Sequence, residues 1–265
     1  MKHLIKTDNY ASLEAVDYGR VVYDTTNDKV FLQNIGGVTN EYVDLGLPSQ
    51  LKWAKYNIGA TNEEEAGLYF QWGDTQGYTA EQVGDGEGLK EFNLADYKWS
   101  VDGSASNLSK YNASDSKTVL DPEDDAAHVN MGGNWRMPTE NEYKELYLNT
   151  DIYLVPNEGE EIQGNVRNQS GSVLVTWLFK PEGTLKGIKF YKKDDKQTYI
   201  FVPAAGHAYD GSVKNFGEKS SLWTSSLDHI GFTGAQYFGF TTQPFYLNFS
   251  NNRCVGHPVR GVLAQ

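Results

Sequence analysis

The sequence predicts a chain of many short strands and long ordered loops with few helices, and three observations carry that prediction. Aromatic residues are heavy, with 17 Tyr, 12 Phe and 6 Trp among 265 residues, so strand-favouring side chains are plentiful. Twenty-seven glycines and runs of Asn, Ser and Thr break them into short pieces. Helix-start chemistry is sharp at few places, most clearly in Gly132–Leu146. There Thr139, with Glu142 three residues on, makes a capping box, and Pro138 holds Met137 extended, so a helix starts at Glu140. Tyr143, Leu146 and Tyr147 share its inward face while Glu140, Asn141, Lys144 and Glu145 stay wet. Upstream, Gly132-Gly133 permits a tight path that sends Trp135 and Met137 to one side and Arg136 to the other.

The length suits one large domain with a small appendage, which divides the chain into residues 1–40 and 41–265. In the first part, Gly19–Asp24 and Lys29–Gln33 read as a β-hairpin across a Thr25–Asp28 turn, with Gly36-Gly37 as a joint. Two strands bury too little surface to stand alone, so this hairpin must lean on the main domain, on another copy or on a larger assembly. From Glu41 onward, Tyr42–Leu45 and Leu51–Ala54 read as strands, the second with Leu51 and Trp53 on one face. Thr61 and Glu64 form a second capping box, opening a helical turn that ends near Gly67, before a strand over Leu68–Trp72. Gly73–Ser116 reads as a long ordered loop, because Tyr78, Phe92, Tyr97, Trp99 and Tyr111 are too many large rings for a disordered tract. Asp121 as N-cap and Pro122 at the first helical position predict a second short helix up to Val129. Ser172–Phe179 reads as a strand preceded by a polar insertion over Asn157–Gly171, and Gly187–Tyr191 with Thr198–Val202 as a hairpin.

The net charge is −12, and between Glu63 and Tyr97 nine carboxylates face the single Lys90. Such a surface repels phosphate backbones, which excludes nucleic acid as a partner. No stretch approaches a membrane span and the N-terminus lacks an apolar segment of signal-peptide length, so the expectation is release into the cytoplasm without membrane insertion. The lone Cys254 excludes an internal disulfide and reads as a small buried apolar residue.

Several phrases in order resemble the Fibrobacter succinogenes major paralogous domain, a branch of the C-type lectin fold related to the formylglycine-generating enzyme. They are Tyr42–Ser49 with Leu51–Ala54, Asn57–Ala60, Tyr69–Gly73, Asp124–Val129, Gly133–Thr139, Phe201–Gly206, Trp223–Ser226 and Val259–Val262, together spanning residues 41 to 263. The resemblance implies an α+β, C-type lectin-like domain with short antiparallel strands, two short helices and long ordered loops behind the N-terminal hairpin. It also implies scaffold roles for Trp135, Arg136, the capped helix at Thr139 and Glu142, and Arg260 near the chain end.

Candidate chemistry is thin. An oxidase of the formylglycine-generating kind needs two cysteines to hold copper, and this chain has one. Calcium-dependent sugar binding of the lectin kind needs an oxygen ligand where Gln243-Pro244 is followed by Phe245. The acids of Asp121–Asp125 are explained by helix capping. The five histidines, His3, His128, His207, His229 and His257, show no ligand spacing. The expectation is therefore no enzyme, no catalytic residue, no metal and no cofactor. Leu227–Arg253 instead mixes rings, amides and glycines in the manner of a paratope, and in proteins that the chain resembles this part carries the ligand face. Phe238, Phe240 and Phe249 are assigned inward. Asp228, His229, Phe232, Gln236, Tyr237, Phe245, Tyr246, Asn248, Asn251 and Asn252 are assigned outward, as ligand-binding residues. The expected function is a virion surface protein of a bacteriophage, a head or tail fibre or decoration, docked to other virion proteins by its N-terminal segment. It would be a homo-oligomer, a trimer, that grips host bacterial-surface glycan or protein. A bacterial cell-surface adhesin or lipoprotein with its signal peptide removed is the alternative.

Overall fold

Strand pairing dominates the computed structural model: 39% is strand and 10% helix, a β-rich fold that overturns the α+β expectation. The helices are few and short, and the stretch expected as a polar insertion holds a strand. Residues 5–7, 21–24, 29–32, 41–156, 159–169, 172–180, 183–228, 232–247 and 249–263 are described, the first three segments as backbone. The chain parts into two units between Glu41 and Tyr42.

The first unit holds β1 (Ile5–Thr7), β2 (Val21–Asp24) and β3 (Lys29–Leu32) in the order β1-β2-β3. Strands β2 and β3 pair antiparallel, with Val21 opposite Leu32 and Asp24 opposite Lys29. Strand β1 joins β2 in parallel, a pairing absent from the sequence reading. The expected turn at residues 25–28 and joint at 36–37 lie outside the described residues.

The second unit opens with β4 (Tyr42–Val43), β5 (Lys52–Ala54) and β6 (Tyr69–Phe70). No helix forms at Thr61. Its backbone N–H and hydroxyl go to Glu65, at 2.6 Å for the N–H, so the carboxylate four residues on closes a local loop where a capping box with Glu64 was expected. The loop up to Ser116 packs its own rings inward, burying Phe92, Tyr97, Trp99 and Tyr111. The helix expected from Asp121 is broken in two. Pro122–Asp124 makes one 3-10 turn, and α1 (Ala126–Met131) starts afresh because Asp125 caps it, accepting from the N–H groups of Ala127 and His128 at 2.8 and 3.0 Å.

After β7 (Trp135–Arg136), α2 (Glu140–Asn149) runs with Thr139 and Glu142 in the expected capping box and Tyr143, Leu146 and Tyr147 buried. Six strands then form one sheet, β8 (Thr150–Val155), β9 (Ile162–Gln169), β10 (Ser172–Trp177), β11 (Gly187–Lys192), β12 (Asp195–Pro203) and, after the next elements, β17 (Phe245–Tyr246), in the order β12-β11-β8-β9-β10-β17. Strand β9 corrects the expected polar insertion. Its inward positions, Ile162 and Val166, are apolar, but polar side chains alternate with them and mask the strand in the sequence.

The remaining elements are β13 (His207–Tyr209), β14 (Ser212–Lys214), β15 (Ser220–Leu227), β16 (Gly234–Phe240), β18 (Phe249–Asn252), β19 (His257–Pro258) and β20 (Val262–Leu263). Strands β4, β5, β20 and β7 form a second sheet, and β15, β16 and β18 a third. Its β15–β16 pair is buried on both faces. Leu222, Phe238 and Phe240 join the core beneath the six-stranded sheet and α2, while Trp223, Leu227 and Ala235 join a second core made by the long loop and α1.

The ring of Phe238 stacks on Tyr143 at 4.2 Å and touches Tyr147 at 5.1 Å. Phe238→Ala is expected to cost about 3–5 kcal/mol in urea unfolding, whereas Phe216→Ala, at a ring 64% exposed, is expected within about 0.5 kcal/mol of wild type.

Candidate functional site

The expected ligand face is largely interior. Gln236 is buried, with its amide donating to Asp228 Oδ1 at 3.1 Å, and Phe245 is buried against Phe249 at 5.5 Å. Both outward assignments are overturned, because β16 and the inner side of β17 lie against cores that need apolar cover. Tyr237 is half-buried and sandwiched between Phe249 at 5.2 Å and His257 at 4.9 Å. Phe232 packs on the second core, and its carbonyl accepts from Arg253 Nη2. Asn251 faces His257 across 3.4 Å, and Asn252 Oδ1 accepts from the Cys254 N–H in the turn that follows. Tyr246, 44% exposed, is the outward ring of the set. His229 and Asn248 lie outside the described residues. Of the rings assigned inward, Phe238 and Phe240 are buried and Phe249 is partly so.

The scaffold residues sit together around an open cleft of about 990 Å³ beside α1, walled by Leu120, Asp125, His128, Trp135, Arg136 and Thr139. Its charged groups are committed. Arg136 holds Glu142 with two bonds, at 2.8 and 2.5 Å, and Glu142 also accepts from the Thr139 N–H at 2.7 Å. Asp125 accepts from Met137 N–H as well as from α1, and burial pushes its carboxyl up against those bonds. Arg260, also expected as scaffold, is fully buried.

Asp121, Glu123 and Asp124 lie close enough to hold a cation. The Lys110 ammonium fills that place, 2.9, 3.5 and 2.5 Å from the three carboxylates, and Lys98 reaches Asp124 at 3.1 Å. Burial works against charge on Asp124, but Lys110, Tyr111 and Lys98 outweigh it and hold the carboxyl low. The Cys254 thiol is pushed by burial up to about 12, which leaves it without the thiolate that nucleophilic or metal chemistry needs.

The outer face of the six-stranded sheet is different. Alternation along β9 puts Gln163, Asn165, Arg167 and Gln169 in one outward row, all exposed or at the rim and none with a side-chain partner among the described residues. Register places Arg167 beside Leu174, Leu174 beside Tyr246, and Asn165 beside Thr176. On the other flank, Gln163 sits beside Tyr153 and Tyr153 beside Lys189. There the groups close on one another. Tyr153 meets Tyr191 at 5.5 Å, Tyr191 meets Tyr199 at 5.3 Å, and Glu161 accepts from the Tyr191 hydroxyl at 2.5 Å and pairs with Lys189 at 2.9 Å. Sheet spacing makes the whole face about 24 Å wide. One half is thus a locked tyrosine and lysine layer and the other a row of free amides, a guanidinium and a ring.

No family model, curated protein or solved structure matches this chain. The resemblance to the major paralogous domain rests on its ordered phrases alone. The free row on β9 was missed in the sequence because it was read as an insertion. The signal that could have found it is the alternation Ile162, Gly164, Val166 against Gln163, Asn165, Arg167.

Histidines His207 and His257 lie behind the third sheet, with ring centroids 5.7 Å apart. Burial pushes His207 down to about 4 and His257 well below its ordinary value, and Lys214 and Lys219 add to the shift at His207. The unfolded chain takes up these protons near 6.5 and the folded chain only lower, so stability is full above about 6.5 and falls as pH drops toward 4. Urea midpoints measured from pH 7.5 to 4.5 are expected to show this fall, and His207→Gln to make it shallower than in wild type.

Proposed function

We propose that this chain is a non-enzymatic recognition protein that grips bacterial-surface glycan or protein through the outer face of its six-stranded sheet. The row of Gln163, Asn165, Arg167 and Gln169 carries the reading: four polar side chains on one strand with no internal partner, beside an exposed Tyr246 and a half-buried Leu174. Amides and a guanidinium offer donors and acceptors to hydroxyl-rich or peptide ligands. Tyr246 adds flat contact area at low entropic cost. An antiparallel sheet with one face on the core and one open is a rigid base for such a surface. The filled acid cluster and the protonated, buried thiol fit a binding role better than a chemical one.

The setting proposed is a virion surface, with the first unit as the attachment piece toward other virion proteins and a trimer as the assembly. A three-stranded sheet of such short strands suits a piece that is completed by its neighbours. A modest face of this kind gains strength from many copies on one particle.

Arrays of bacterial-surface glycans and whole-cell binding test the proposal. Arg167→Ala and Tyr246→Ala are each expected to weaken binding roughly tenfold or more, with the strand signal in circular dichroism unchanged. Binding that survives both substitutions at wild-type strength would move the site off this face.

A further inference from the structure

Four buried donor atoms of the second unit have no acceptor, Nη1 and Nη2 of Arg260, the Tyr143 hydroxyl and Nε1 of Trp53, and Arg260 lies near enough to Tyr143 for each to act on the other's charge. Arg260 is fully buried, and Nε makes its one internal bond, to Asn57 Oδ1 at 2.9 Å. Asn57 is itself spent, since its amide donates to Ala66 O at 2.9 Å. The Trp53 and Tyr143 rings lie 4.9 Å apart. Trp53 pairs across the sheet with Val262, two residues beyond Arg260, so the segment that carries the arginine leads directly into the strand beside the tryptophan. Among the described residues no carboxylate stands within ion-pair distance of Arg260, and Glu63 acts on it only from farther away.

This arrangement is the reverse of what burial requires. A cation removed from water needs an opposite charge or a full set of acceptors. Burial lowers the guanidinium only to about 10, so it stays charged at neutral pH. A water molecule accepts at most two of these hydrogens and brings two more donors of its own into a corner where the Tyr143 hydroxyl oxygen is the single acceptor among the unpartnered atoms. A small anion accepts from several donors at once and cancels the charge.

We propose that this corner binds a small monovalent anion of the halide class, held by Arg260 with Tyr143 and Trp53 as further donors. The proposal is independent of the recognition face, which lies on the outer side of a different sheet. An anion here would tie the segment leading into β20 to β5 and α2, and thus stabilise the fold without taking part in recognition.

The test is thermal unfolding of the full chain at constant ionic strength, with sodium gluconate replaced stepwise by sodium bromide. The melting temperature is expected to rise with bromide and to saturate, as it does when a ligand binds the folded state alone. Tyr143→Phe keeps the ring and removes one donor, and is expected to raise the half-saturating bromide concentration roughly tenfold or more. Arg260→Met is expected to abolish the response. If that variant does not fold, the Tyr143→Phe titration decides alone. Crystals grown in bromide are expected to show an anomalous peak within hydrogen-bond distance of the Arg260 Nη atoms. A wild-type melting temperature that is the same in both salts, a Tyr143→Phe titration identical to wild type, or crystals without that peak would each overturn the proposal.

Discussion

The β15–β16 pair is buried on both faces, and the rest of the second unit is arranged to cover it. Adjacent residues Leu222 and Trp223 point to opposite sides, one into the core beneath the six-stranded sheet and one into the core under the long loop. A strand with two buried faces needs a partner layer on each side, which explains why so small a sheet lies between two hydrophobic clusters. Several of the polar atoms brought inside with it are spent as ties. Trp223 Nε1 donates to Phe70 O at 2.8 Å, Trp72 Nε1 to Thr224 O at 2.8 Å, and the Tyr147 hydroxyl to Gly239 O at 3.0 Å. Each satisfies a buried donor and fixes a loop or helix to the central wall.

Arg253 does the same for the long loop. Its guanidinium is buried over the Trp72 ring at 5.4 Å and donates to Lys110 O at 3.1 Å and Tyr111 O at 2.8 Å, as well as to Phe232 O. Tyr111 is held at a φ of 54°, in the left-handed region that a bulky residue avoids, and Asp115 accepts its N–H at 2.6 Å. The Tyr111 hydroxyl then accepts from Asp121 N–H at 2.8 Å and donates to Asp124 at 2.7 Å. A segment of Gly, Ser and Asp thereby becomes ordered by carbonyls clamped to one arginine and a ring wedged into a lysine and carboxylate cluster. The carboxylates Asp115, Asp121 and Asp124 are thereby spent within this region.

The proposed function follows from where the cores do not reach. Recognition of a foreign surface needs side chains whose bonding is unspent, and among the described residues a row of them lies on β9, beside β17, in the six-stranded sheet. Its inner side supplies Ile152, Leu154, Val173 and Val175 to the core, so the strands are rigid while their outer row stays available. The C-terminal segment has the composition of a paratope, yet most of its rings and amides are consumed in holding the central wall. Composition describes what a segment could bond to, and burial decides whether those bonds are already made.

The sequence by itself determined the local features whose cause is local. The capping box at Thr139 and Glu142, the inward trio Tyr143, Leu146 and Tyr147, the alternation around Trp135 and the β11–β12 pairing all follow from neighbouring residues and appear as read. Only the tertiary structure decided the rest. Which face of β16 is covered depends on strands and loops tens of residues away, and a period of two cannot say that both faces are buried. The same limit turned β9 into an apparent insertion, since a strand with one free polar face looks like loop until its neighbours β8 and β10 supply its hydrogen bonds. Asp125, which caps α1, also accepts from Met137, twelve residues on, a tie that the order of residues does not show. Short-range chemistry is written in the order of the residues, whereas exposure is a property of the whole packed unit.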